Sequence, residues 1–118
     1  MKSIVAIVLA AMTATVAAQQ VYRSGDAGVV SPTVVKSVRP SYTQDAMNQR
    51  IQGTALLECV VQADGTVGEV TVVESLDTMY GLDDEAIKAL KLWEFRPGTL
   101  DKKPIAVRVQ VQMSFTLK

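Results

Sequence analysis

The Asp64-Gly65 dipeptide, set between two β-branched runs that extend from Thr54 to Glu74, constrains this chain more than any other feature. Asp-Gly is a preferred pair for a two-residue type I′ hairpin turn, because both central residues take positive φ. Pairing Ala63 with Thr66 across that turn places Cys59 opposite Val70, Leu57 opposite Val72 and Val61 opposite Gly68. Side chains alternate across a strand, so Ala55, Leu57, Cys59, Val61, Val70 and Val72 share one face, the expected core face. On the other face Glu58 lies opposite Thr71 and Val60 opposite Glu69, with Leu56, Val67 and Val73 nearby. That face is half polar, and partial cover is expected over it.

Three further segments carry a period. From Val107 to Leu117 apolar and polar residues alternate without a fault, which predicts a long half-buried strand. Leu82, Ala86, Ala89, Leu90 and Trp93 fall at helical spacing and predict an amphipathic helix from Leu82 to Trp93. A shorter helix is predicted from Ser41 to Gln52, capped by Ser41 or Thr43 and stopped by Gly53. Before it, Thr33–Arg39 reads as a short extended segment ended by Pro40; Pro97-Gly98 reads as a helix stop and Asp101-Lys102-Lys103-Pro104 as a polar turn. A helix joining two strands usually makes them parallel, so the last strand belongs beside the first, antiparallel to it. The expected fold is α+β: a three-stranded antiparallel/mixed sheet in the order second-first-third, with two helices on its apolar face.

Residues 1–18 read as a secretory signal, with Lys2, an apolar run from Ile4 to Met12, and a small-residue end at Ala14-Thr15-Val16-Ala17-Ala18. A cut after Ala18 leaves Gln19 as the new terminus; an uncleaved membrane anchor is the alternative, although a span needs about twenty apolar residues. The expected organisation is thus a signal peptide or short signal anchor at 1–18, a flexible polar leader at 19–32, and one folded domain at 33–118. The domain is placed in an exported compartment.

Charge and residue types close several functional classes. Twelve Lys and Arg balance twelve Asp and Glu, scattered singly or in pairs, which argues against nucleic acid and against electrostatic membrane adhesion. The chain has no histidine, hence no Ser-His-Asp or Cys-His pair and no H-E-x-x-H metal site. Cys59, alone in an apolar alternation, reads as a small buried hydrophobe. Asp83, Asp84 and Glu85 point in different directions around a helix and cannot converge on one ion; Asp83 is expected to cap, and all three to meet the helix dipole. Of the exposed carboxylates, Glu58, Glu69, Glu74 and Asp77 are the only candidates for catalysis, and no nucleophile or ligand cluster accompanies them. No enzyme, metal, cofactor or small-molecule substrate is expected.

The ordered set of motifs resembles a known family. Pro40-Ser41-Tyr42 is followed by Ala46, then Ile51-Gln52-Gly53 opens a β-run, and Val61-Gln62-Ala63-Asp64-Gly65-Thr66-Val67 follows. Leu82-Asp83 with Ala86, Trp93-Glu94-Phe95-Arg96-Pro97-Gly98 and Lys103-Pro104-Ile105 before a strand ending in Phe115 complete it. Together, from Pro40 to Leu117, these are similar to the carboxy-terminal domain of TonB, the periplasmic transducer that engages outer-membrane receptors, and imply a TonB/TolA-type fold. Two positions depart from the family pattern: Thr43 stands where a second proline is frequent, and Lys102 where a glycine is common.

The predicted last strand lies at the edge of its sheet with unpaired backbone groups, and such an edge recruits another strand. The resemblance implies the same surface, pairing with the TonB-box segment of an outer-membrane receptor. The candidate site is therefore Arg108, Val109, Gln110, Val111, Gln112, Met113 and Ser114, with Arg39, Ser41 and Tyr42 as a second tier implied by the resemblance. Full transducers of the family carry a membrane helix and a long spacer, whereas Gln19 to Arg39 reaches at most about 70 Å. The expectation is a small exported peptide-binding domain in the periplasm that does not itself transduce energy. A homodimeric scaffold of the cell envelope, using the half-apolar hairpin face, is the alternative.

Overall fold

A computed structural model describes residues 20–118; the signal expected at 1–18 lies outside the described residues. The elements are β1 (Val21–Arg23), β2 (Val29–Val30), β3 (Thr33–Lys36), α1 (Gln44–Asn48), β4 (Gly53–Val61), β5 (Val67–Glu74), α2 (Leu82–Lys91), β6 (Glu94–Arg96), β7 (Gly98–Leu100) and β8 (Lys103–Phe115). The expected arrangement is present at the centre, where β5, β4 and β8 lie side by side in that order and all pairings are antiparallel. The sheet is larger than three strands: β7 and β2 extend it, and β1 pairs with β8 in parallel. A separate two-stranded sheet joins β3 to β6.

The hairpin register is as predicted at its middle, with Leu57 opposite Val72, Glu58 opposite Thr71 and Cys59 opposite Val70. The turn differs. Gln62 and Thr66 close it, with the Gln62 N–H donating to the Thr66 carbonyl at 2.8 Å, so three residues form the loop and Gly65 takes φ +90°. A three-residue loop ending in a left-handed glycine needs one extra residue in the ladder. An irregularity between Cys59 and Val61 absorbs it, so Val61 lies opposite Val67 instead of Gly68. Gly65 is also where the chain from α2 docks: the Phe95 N–H donates to its carbonyl at 2.9 Å, and an added Cβ would stand 2.2 Å from the Phe95 carbonyl oxygen.

Both helices contribute to one core. Ala46 of α1 and Leu82, Ala86, Ala89 and Leu90 of α2 are buried with Ala55, Leu57, Cys59 and Val61 of β4 and Met113 and Phe115 of β8. Val72, expected in this core, is 36% exposed because it lies on the outermost strand. Helix α1 is shorter than predicted. Thr43 caps it, its hydroxyl accepting the Ala46 N–H at 3.2 Å, and Arg50 ends it in the left-handed region at φ +57°. The Ile51 N–H returns to Ala46 and the Arg50 N–H to Met47, a Schellman closure that ends the helix at Asn48, well before Gly53.

The helix-start acceptor expected at Asp83 is instead Asp77, and both carboxylates are buried. The Asp83 carboxylate caps the loop before its own helix, accepting the Ser75 hydroxyl and the N–H groups of Leu76 and Asp77, both at 3.0 Å. Asp77 is buried instead of exposed, and accepts N–H donors from Met79, Tyr80 and Leu82. It thus supplies the acceptor at the start of α2. Burial pushes its carboxyl up, but the N–H groups of Tyr80, Leu82 and Met79 outweigh that and hold it below the usual carboxylate value.

Candidate functional site

Strand β8 pairs with β4 from Val107 to Phe115, opposite Val61 to Gly53. Along its far edge the backbone from Val109 to Phe115 has no strand partner among the described residues. The edge is shorter than the sequence implies. Strand β1 sets Val21, Tyr22 and Arg23 beside Ala106, Val107 and Arg108, so the outer side of Arg108, expected to be open, is covered. The residues responsible lie in the stretch whose sequence reads as a flexible leader; a three-residue pairing to a strand more than eighty positions away leaves no periodic signal in the sequence.

A cleft of about 620 Å³ follows the start of the open edge. Arg108, Val109, Gln110 and Val111 of β8 line it, and because side chains alternate it takes in both faces of the strand. On the helix-side face Val109 and Val111 line it together with Trp93, Phe95 and Val34. Trp93 and Phe95 stack at a tilt with ring centroids 6.0 Å apart, and the Trp93 indole N–H donates to the Val38 carbonyl at 2.9 Å. These bonds fix an apolar wall. On the opposite face Arg108 forms an ion pair with Glu58 at 3.2 Å, and Gln110 reaches the other Glu58 oxygen at 3.5 Å. Arg23, Ser24 and Ser31 of the leader close one end.

The other expected residues are distributed as follows. Gln112 and Ser114 are exposed, Ser114 sharing a hydroxyl hydrogen bond with Thr54 at 3.1 Å. Met113 is buried in the core, so it offers only backbone to the open edge. Arg39 and Ser41 are exposed and Tyr42 packs edge-on against Phe115, its hydroxyl donating to the Ile51 carbonyl. None of these three lines the cleft, although Arg39 directly follows Val38, which Trp93 holds. The sequence pattern sets Trp93 on the apolar stripe of the predicted helix and assigns none of Trp93, Phe95, Val34, Arg23 or Ser24 to the site. The first two carried an aromatic signal; the leader residues carried none.

Acid–base chemistry has little footing here. Burial first, then the neighbouring Glu58 carboxylate, push the Cys59 thiol up to about 11, so it stays protonated near neutral pH. Glu58 is engaged by Arg108, and Asp77 by its three N–H donors. Among the described residues no three Cys, Asp or Glu side chains gather as a metal site, and no helix is long and apolar enough to cross a membrane.

The chain is thus a small α+β domain with both helices on one face of a sheet and an aromatic-walled cleft beside an incompletely paired strand. Residues 38–117 match the family described as Gram-negative bacterial TonB protein C-terminal, and the chain belongs to that family. It is 33% identical over 91 residues to protein TonB of Vibrio cholerae, covering 76% of this chain and 37% of that protein. It is also 33% identical over 78 residues to protein TonB of Xanthomonas campestris, covering 66% of this chain and 34% of that one. The chain thus spans about a third of the length of these relatives. The solution NMR structure of the Pseudomonas aeruginosa TonB CTD has the same fold, with a TM-score of 0.61 at 21% identity over 81% of this chain and 93% of that one.

Proposed function

We propose that this domain binds an extended peptide by strand addition to the open edge of β8, and that the peptide is the TonB-box segment of an outer-membrane receptor in the periplasm. The observation that carries the reading is the coincidence of the unpaired backbone from Val109 to Phe115 with the cleft walled by Trp93 and Phe95. A strand added there continues the β8 pleat. Its alternate side chains would fall on the apolar wall of Val34, Val109, Val111 and the two rings, and on the polar rim of Arg108, Gln110 and Glu58. Backbone bonds supply affinity independent of side chain, each worth about 0.5–1.5 kcal/mol net, while the wall selects an alternating sequence. Arg39 and Ser41 are flanking contacts beyond the cleft. The domain works by binding and carries no catalytic step.

Calorimetric titration of the full chain with a TonB-box-type peptide tests this. Backbone N-methylation of the peptide residues whose N–H groups face β8 should abolish binding, while methylation of the intervening residues leaves it intact. Equal loss from both patterns would contradict strand addition. A homodimeric scaffold is favoured by one observation, the second open edge on β5, where Val72 and Val73 are 36% and 47% exposed. Sedimentation equilibrium distinguishes it, since that reading requires a mass that rises with concentration and returns to the monomer when Val73 is replaced by Lys.

A further inference from the structure

The leader strand β1 occupies the part of the β8 edge adjoining the stretch that the proposed partner would use. Val21–Arg23 runs parallel to Ala106–Arg108, directly before the stretch of β8 that is open. It does not continue along Val109. The Asp26 carboxylate accepts the Arg23 N–H at 2.8 Å, the Asp26 N–H returns to the Arg23 carbonyl at 3.0 Å, and Gly25 and Gly28 take φ of +98° and +77°. A hydroxyl bond of 2.6 Å between Ser24 and Ser31 closes the loop. The chain therefore turns off the edge at Arg23, and Arg23 and Ser24 become the end wall of the cleft.

That contact is weak by construction. It is three residues long, parallel, and only Val21 and Tyr22 are half-buried while Arg23 is exposed. Parallel pairing is slightly less stable per residue than antiparallel, and a strand of only three residues opens at little cost. Beneath it lies an intact acceptor, because β4 holds β8 on the other side at Val107 and Arg108 whether or not β1 is in place.

Resting on the strand-addition reading above, we propose that Val21–Arg23 is a displaceable placeholder, and that a partner peptide long enough to run past Val109 replaces it on Ala106–Arg108. The full interaction surface is then the β8 edge from Ala106 to Phe115, and its partner is an extended peptide that spans all of it. A shorter peptide docks end-on against β1. The placeholder covers a sheet edge that would otherwise recruit other chains, and it lowers the apparent affinity for long peptides by the fraction of time the edge is closed.

The test compares two alternating Thr-Val peptides, one matched in length to Val109–Phe115 and one to Ala106–Phe115, on the full chain and on its Tyr22→Pro variant, in which β1 loses a backbone donor. The short peptide, which needs only the edge that is already open, should bind the variant no more tightly than the native chain. The long peptide should bind the variant roughly three- to tenfold more tightly, and in the native chain it should strip hydrogen-exchange protection from Val21–Arg23. Equal affinities for the long peptide, with Val21–Arg23 still protected in the complex, would overturn the proposal. If neither peptide binds either protein, strand addition itself fails, and the placeholder is read separately with a peptide of the leader sequence Gln20–Ser24 added to Tyr22→Pro. Amide shifts at Ala106–Arg108 then support a refillable edge, and their absence overturns it. Should the variant not fold, native-state exchange on the unaltered chain decides: β1 opening before the β4–β8 pairing supports the proposal, and opening only with global unfolding refutes it.

Discussion

Gly65 and Asp77 each hold a junction that the rest of the domain depends on. Gly65 joins the hairpin tip to the segment after α2, and both its φ of +90° and the Phe95 carbonyl oxygen standing where a Cβ would go exclude a side chain. Gly65→Ala should therefore destabilise the fold by about 2 kcal/mol or more, read as a lower urea midpoint at unchanged slope. Asp77→Ala leaves the Met79, Tyr80 and Leu82 N–H groups without their acceptor and should cost about 2 kcal/mol. The Asp77 carboxyl lies below its usual value in the folded chain, so its stabilisation is present above the unfolded value of about 4 and is lost as pH falls through the folded value. Stability from pH 5 to 3 should decline more steeply in the native chain than in Asp77→Asn, and parallel declines would contradict the assignment. The sequence exposed the importance of Gly65 through its turn chemistry. Asp77 was not legible, because its partners are the N–H groups of a loop whose path no periodicity sets.

At the scale of elements, strands with a long period-2 pattern could be read and short ones could not. The middle of the β4–β5 ladder follows from alternation, since a one-residue slip would turn Leu57 and Cys59 out of the core. Bulges at its ends are invisible to that argument because they preserve the face of the residues between them. Strands β6 and β7 are three residues each and flank Pro97, so Pro97-Gly98 reads as a stop although it joins two strands. The polar turn expected at Asp101-Lys102-Lys103-Pro104 is the tip of the β7–β8 hairpin, where Asp101 and Lys102 both take positive φ, 51° and 65°, as a type I′ turn requires. Lys102→Gly relieves a left-handed lysine and should raise stability by roughly 0.5–1 kcal/mol in urea denaturation. A loss of that size would show that the lysine side chain, and not its backbone, matters there.

For the whole molecule, the candidate site was legible as far as one strand could reveal it. Alternation from Val107 to Leu117 predicts a half-buried strand, and topology places it beside β4 with its far side open. What the sequence withheld is the part of the site built by other segments: the Trp93–Phe95 wall, Val34 of β3, and β1 seated on Ala106–Arg108. Those contacts join residues far apart in the chain and depend on how the ends of elements bend, which local pattern does not encode. The account as a whole rests on the β8 edge accepting a strand. The most direct measurement is a backbone amide NMR titration of the full chain with a TonB-box-type peptide. Saturable shifts and new exchange protection along Val109–Phe115, with a shift of the Trp93 indole N–H and none along β5, are the predicted result. Unmoved β8 amides at millimolar peptide, or protection appearing instead along Val67–Glu74, would contradict it.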